Sequence, residues 1–182
     1  MMDSSKKSST FNVHKIALLG VLTAGAVVIA ILESFIPSIG IPGIKLGLAN
    51  IVILVTLYEL GILDAIIVNL IRVIVVGLVR GTFMSYGFLM SLSGAFLSLL
   101  VMIIFYLLIR KFSIIGVSVL GALAHVIGQI LVAMIYLGTS YVVLYLPVIG
   151  LSAIITGVFV GLVSSAIIHT DVIKKQRERY HY

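Results

Sequence analysis

The sequence predicts an all-α integral membrane protein: a six-transmembrane-helix bundle with both termini in the cytoplasm. Three observations carry that expectation. Apolar residues fill 62% of the 182 positions and charged residues only 10%, whereas a soluble domain is roughly 45–50% apolar and about 25% charged. The apolar residues form long continuous runs, without the alternation of a membrane β-strand. Lysine and arginine collect on one side of the topology these runs imply. A mean hydropathy of +1.32 exceeds what a water-soluble chain of this length could conceal, because small domains leave much of their surface in water.

The runs are cut by punctuation residues. Helix 1 covers about Val13 to Phe35 and is broken by Pro37, Gly40, Pro42 and Gly43. It is too long for the ~7–15-residue core of a signal peptide, so it is read as a retained membrane helix. Helix 2 runs from about Lys45 to Leu60, the shortest of the set, and turns at Gly61. Helix 3 covers Leu63 to Arg80, helix 4 Tyr86 to Arg110, and helix 5 Ile114 to Leu137, closed by Gly138, Thr139 and Ser140. Helix 6 runs from Tyr141 to His169. Each approaches the ~20 residues needed to cross ~30 Å of hydrocarbon. The chain therefore divides into a flexible basic N-terminal segment (1–12), a six-helix membrane domain (13–170) and a charged cytoplasmic tail (171–182).

Orientation follows from the cations. With the N-terminus inside, nine of the twelve Lys and Arg residues lie inside: Lys6, Lys7, Lys15, Arg110, Lys111, Lys174, Lys175, Arg177 and Arg179. Lys45 and Arg80 lie outside and Arg72 is left within helix 3. The positive-inside rule selects this arrangement, and the expected location is a bacterial cytoplasmic (inner) membrane, crossed several times. The net charge of +6 then reports topology and contact with the lipid bilayer, not a nucleic-acid surface.

Few residues in the apolar runs could carry chemistry. Arg72 is the costliest, since a guanidinium at mid-helix costs roughly 2.5–3.5 kcal/mol on insertion scales. With Asn69 one turn before it, Arg72 must face the bundle, either as a structural tie or as the partner of an anionic ligand. Lys45 and Arg80 at the outer helix ends are either snorkelling residues or, near Asn50 and Tyr86, parts of an anion site suited to phosphate or carboxylate. On helix 5, Gly121, His125, Gln129 and Ala133 fall at steps of four, which puts His125 and Gln129 on one inward stripe. The candidate ligand-binding set is thus Lys45, Asn50, Asn69, Arg72, Arg80, Tyr86, His125 and Gln129. Ser91, Ser93 and Ser98 on helix 4 could bond backbone carbonyls or a ligand. Glu33 lies at the outer end of helix 1, while Glu59 and Asp64 bracket the helix 2–3 turn, where an ordinary solvated loop is expected. On helix 1, Ala17, Gly20 and Ala24, then Ala26 and Ala30, permit close helix approach, within the chain or against a partner.

Catalytic signatures are missing. The sequence has no cysteine, no Walker loop, no G-x-S-x-G and no H-E-x-x-H. Asp3, Asp64 and Asp171 are its only aspartates, so it has no Asp-rich motif to hold magnesium on a diphosphate. Neither an enzyme, a metal site nor a cofactor is expected.

The string Pro42-Gly-Ile-Lys-Leu-Gly-Leu-Ala-Asn50, together with Leu70-Ile-Arg-Val73, Gly116 to Gln129 and Leu144-Tyr-Leu-Pro-Val148, resembles the Gx transporter family, also called heptaprenyl diphosphate synthase component I. The similarity covers roughly Ile16 to Ile168. That family is similar to the substrate-binding S-components of energy-coupling factor (ECF) transporters. The resemblance implies a six-helix bundle with an outward ligand site, and a small-residue face on helix 1 (Ala17, Gly20, Ala24) docking a coupling subunit driven by two ATPases. It thus implies a non-catalytic substrate-binding subunit of an ECF-like importer, with a small, anionic or amphipathic ligand in a pocket of the outer half, bounded by helices 3 to 6 and the Phe35–Lys45 loop. The synthase name implies the alternative, a membrane accessory subunit in heptaprenyl diphosphate or menaquinone precursor synthesis, with a prenyl diphosphate or quinone precursor as ligand.

Overall fold

A computed structural model describes residues 13–35, 45–108 and 113–170. The expected N-terminal segment, the Pro37–Gly43 breaker cluster, the Arg110–Lys111 turn and the C-terminal tail lie outside these residues. The elements are α1 (Val13–Glu33), α2 (Asn50–Glu59), α3 (Ile62–Val79), α4 (Tyr86–Leu108), α5 (Ile114–Leu137), a 3₁₀ turn (Ser140–Tyr145) and α6 (Leu146–Ile168), with no strand among the described residues. Five helical stretches are long and apolar enough to cross a membrane. Large apolar side chains such as Val21, Leu70, Phe96, Ile135 and Leu151 stand exposed on them. Such an outer surface suits lipid and would be an aggregation hazard in water. The molecule is a multi-pass membrane helical bundle.

α2 departs from expectation. It has 10 residues, about 15 Å at 1.5 Å per residue, half of a ~30 Å hydrocarbon layer. The predicted start at Lys45 is lost because Lys45 to Gly47 are not helical, and Gly47 takes a φ of +85° that only glycine adopts freely. The short helix is sheltered: α1, α3, α4 and α6 all touch it, and Val52 to Leu57 are buried without interruption. Being apolar all round, it belongs inside the bundle. Irregular backbone beside it is tolerated at membrane depth only where protein covers it. α6 also begins later than expected. Pro147 sits in its first turn, where the missing N–H costs nothing, and the 3₁₀ turn supplies the residues before it.

α4, α5 and α6 meet backbone to backbone. A methyl on Gly128 would come within 2.7 Å of the Ser93 carbonyl oxygen, and one on Gly161 within 2.6 Å of Ile115 Cα. Gly157 and Gly161 form a small-xxx-small pair turned inward against α5. Ser118 Oγ donates to the Gly157 carbonyl at 2.7 Å, and Ser93 Oγ donates to that of Gly128. The seam between α3 and α4 is sparser, packed by Val73, Phe88, Ala95 and Leu92.

Two sequence expectations resolve here. Asp64 is not a solvated loop residue. It is 5% exposed and pairs with Lys15 Nζ at 2.8 Å, tying α1 to α3, because the turn at Gly61 begins α3 early enough to carry Asp64 into its first helical turn. The two small-residue sets on α1 separate: Ala26 and Ala30 pack into the core, while Ala17, Gly20 and Ala24 face outward.

Candidate functional site

Where α1 and α3 end and α4 begins, the bundle encloses a cavity of about 270 Å³. Glu33 reaches it from α1, Lys45 from the segment before α2, Arg72 and Arg80 from α3, Ser91 from α4 and His125 from α5. Among the described residues, α6 contributes nothing. The expected frame of helices 3 to 6 is therefore corrected: α1 takes the place of α6, because α6 packs on the far side of α5 and against α2.

Arg72 is 5% exposed. Its Nη2 donates to Asn69 Oδ1 at 2.7 Å, and Asn69 Nδ2 donates to the Ala95 carbonyl across the seam at 3.0 Å. Asn69 thus aims the guanidinium and anchors it to α4. Among the described residues the only ion pair is Lys15–Asp64, so Arg72 has no carboxylate in contact. An interior guanidinium without a contacting counter-charge is costly.

Lys45 is positioned through its backbone. Its N–H donates to Gln129 Oε1 at 3.0 Å, and its carbonyl accepts from Gln129 Nε2 at 3.3 Å. A side-chain amide thereby does for Lys45 what a neighbouring helical turn would do. The Lys45 ammonium donates to Ser91 Oγ at 2.8 Å, and Ser91 passes a hydrogen bond to the Gly87 carbonyl at 2.9 Å. Burial lowers the Lys45 pKa from its ordinary value; Glu33 opposes this, and the Arg80 and Arg72 charges add to it. Two residues on, Gly47 N–H donates to Glu33 Oε1. A Cβ there would lie 3.1 Å from Asn50 Nδ2 and 3.6 Å from the His125 ring, so Gly47 is required by both conformation and space. His125 is 4% exposed and neither ring nitrogen has a hydrogen-bond partner, although it borders the cavity.

The eight sequence candidates fall into three groups. Lys45, Arg72, Arg80 and His125 line one cavity. Asn50, Asn69 and Gln129 stand behind its wall with their amides engaged: Asn50 with Ser98 Oγ at 3.1 Å, Asn69 with Arg72 and Ala95, and Gln129 with the Lys45 backbone. Tyr86 stands apart, its ring 4.5 Å from that of Tyr136 and its buried hydroxyl unpartnered. Glu33 and Ser91 belong to the cavity but not to the candidate set. The signal for Glu33 is its position at the same predicted membrane face as Lys45 and Arg80.

Chemically, the site offers three cations and one carboxylate around a small space, with hydroxyl and imidazole groups beside them. This suits reversible capture of an anion. No curated protein and no solved structure matches the chain. A family model described as heptaprenyl diphosphate synthase component I matches residues 22–167, a span that takes in every cavity residue named above. The chain belongs to the heptaprenyl diphosphate synthase component I family.

Proposed function

We propose that this chain is a non-catalytic substrate-binding subunit of an ECF-like importer in the bacterial cytoplasmic membrane, holding a small anion in the outer half of the bundle. The observation that carries this reading is Arg72, a buried guanidinium with no carboxylate in contact among the described residues, beside Lys45 and Arg80 around one cavity. Nature places such charges where a ligand or relay needs them. With the termini inside, the cavity faces outward, and the exposed Ala17, Gly20 and Ala24 face of α1 is free to dock a coupling subunit. The test is native mass spectrometry of gently purified protein, with Arg72→Met and Arg80→Gln alongside. The wild type carries an anionic small molecule, and both variants insert but lose it. Full occupancy of Arg72→Met overturns the reading.

The family name favours a second reading, a membrane accessory subunit in heptaprenyl diphosphate or menaquinone precursor synthesis. Co-purification separates the two. A transmembrane coupling subunit with ATPases supports the importer, and a soluble synthase partner supports the accessory subunit.

A further inference from the structure

Resting on the reading of the cavity as an anion site, we propose that its ligand is a compact, water-soluble dianion carrying a hydroxyl group, and that His125 is the residue that reads this hydroxyl.

Space and charge set the frame. The cavity holds about 270 Å³, room for about nine heavy atoms at roughly 30 Å³ each, the share of one molecule in liquid water. Toward the groove between α3 and α4 it is closed by the packing of Val73, Phe88, Leu92 and Ala95 and by the Asn69 bond to the Ala95 carbonyl. A ligand of this size is held whole, with no chain leaving along that seam. Lys45, Arg72 and Arg80 against Glu33 leave a formal excess of two positive charges. Two carboxylates or one phosphate monoester balance that excess.

The hydroxyl follows from His125. Buried polar side-chain atoms nearly always have a hydrogen-bond partner. Among the described residues the exceptions are the Tyr86 hydroxyl and the two ring nitrogens of His125. His125 lines the cavity and Tyr86 does not. The imidazole is slotted between two glycines. A Cβ on Gly94 would lie 3.1 Å from its Cε1, and one on Gly47 3.6 Å from its Cδ2. The Gly94 main chain acts on the ring without closing a hydrogen bond to it. The glycines thus fix the ring in place and leave its nitrogens for a ligand. One turn along the same stripe, Gln129 engages both ends of its amide with the Lys45 backbone.

In its ordinary neutral form an imidazole has one N–H donor and one acceptor nitrogen. Donors are already in surplus, since an ammonium and two guanidinium groups bring many and no acceptor. Acceptors are engaged: Glu33 Oε1 takes the Gly47 N–H, and Ser91 Oγ takes the Lys45 ammonium. The acceptor nitrogen of His125 is free and suits a donor on the ligand. An ammonium donor would add a fourth cation beside three and be repelled. A hydroxyl donates without charge and also accepts, so it satisfies whichever nitrogen meets it.

The experiment is calorimetric titration of the full chain in phosphatidylcholine nanodiscs with two matched pairs of probes: malate against succinate, and glycerol 3-phosphate against propyl phosphate. Within each pair the members differ in hydroxylation alone. In at least one pair the hydroxylated member should bind about tenfold or more tightly, because its deoxy partner leaves His125 unpaired. The pair that shows this tells carboxylate from phosphate. His125→Phe, which keeps a flat ring between the glycines, should bring the ratio to within about twofold, with His125→Leu as the substitute if it does not insert. His125→Gln, which keeps a donor and an acceptor, should retain a preference. Equal binding within both pairs overturns the hydroxyl assignment and leaves the anion site standing. A wild-type preference that survives His125→Phe or His125→Leu overturns the role of His125. Failure of all four probes to bind overturns the anion site and this proposal with it.

Discussion

Replacing Gln129 by methionine removes both partners of the Lys45 backbone while keeping the length and apolar bulk of the side chain. Gln129 is fully buried, and its two bonds to Lys45 measure 3.0 and 3.3 Å. A buried donor or acceptor left unpaired costs about 1–3 kcal/mol. Lys45 is half-buried and one bond is long, so the lower part of that range applies: about 1–2 kcal/mol each, or about 2–4 kcal/mol in all. Hydrogen–deuterium exchange of the 45–50 segment reads this directly. Loss of about 2 kcal/mol corresponds to roughly 30-fold faster exchange at the Lys45 amide. With its backbone released, the ammonium no longer stays on Ser91, and affinity for the anion proposed to occupy the cavity drops about tenfold, the scale of one charge-assisted bond. Unchanged exchange at Lys45 together with affinity within about twofold, or under 0.5 kcal/mol, would show that Gln129 is not what holds this segment.

Three further outcomes are expected. Gly128→Ala pushes α5 off the Ser93 carbonyl of α4 and costs about 1–3 kcal/mol of overpacking in a denaturing-detergent titration; Gly25→Ala, which meets nothing within 4 Å, stays within about 0.5 kcal/mol of wild type. A double-mutant cycle between Lys15→Met and Asp64→Asn returns about 1–2 kcal/mol of coupling, reduced by the 46% exposure of the Lys15 side chain; coupling near zero would deny that this pair ties α1 to α3. Anion affinity is full while Lys45 is charged and falls as pH rises through its lowered pKa. A binding titration should therefore decline at a pH below the ordinary lysine range, and Lys45→Arg should push that decline upward. The sign for folding is opposite: burial disfavours the ammonium, so stability rises as Lys45 deprotonates.

Most of the architecture was legible because lipid imposes a simple grammar of long apolar runs ended by glycine, proline and charge. The five long spans obey it within a few residues. The start of α2 does not. Gly47 weakens helix in Lys45 to Ala49 and adopts a φ of +85°, but only the distant Gln129 and Glu33, bonding backbone at Lys45 and Gly47, fix the non-helical path. Arg72, Lys45, Arg80 and His125 could be named because charge and imidazole are costly in an apolar run. Which polar groups face the cavity was not readable. The amides of Asn50, Asn69 and Gln129 differ from the lining residues only in having found protein partners, a matter of three-dimensional packing. The burial of Asp64 was hidden for the same reason, since its partner Lys15 lies on another helix. The Gly157 and Gly161 pair was visible in the sequence by spacing alone, but nothing there said which neighbour it meets.

The glycine contacts also decide how the bundle can deform. α5 cannot slide along α4 or α6 without lifting main chain out of main chain, so these three helices form one closely packed slab. α3 leans on that slab through a few side chains and the Asn69 bond to Ala95, while Lys15 and Asp64 clasp α1 to α3. α2 packs against both sides, on α3 as well as on α6, and the charged chamber sits astride the sparser α3–α4 seam. Arg72 stands on one side of this seam and Ser91 and His125 on the other, so an anion bound between them would hold the two sides together.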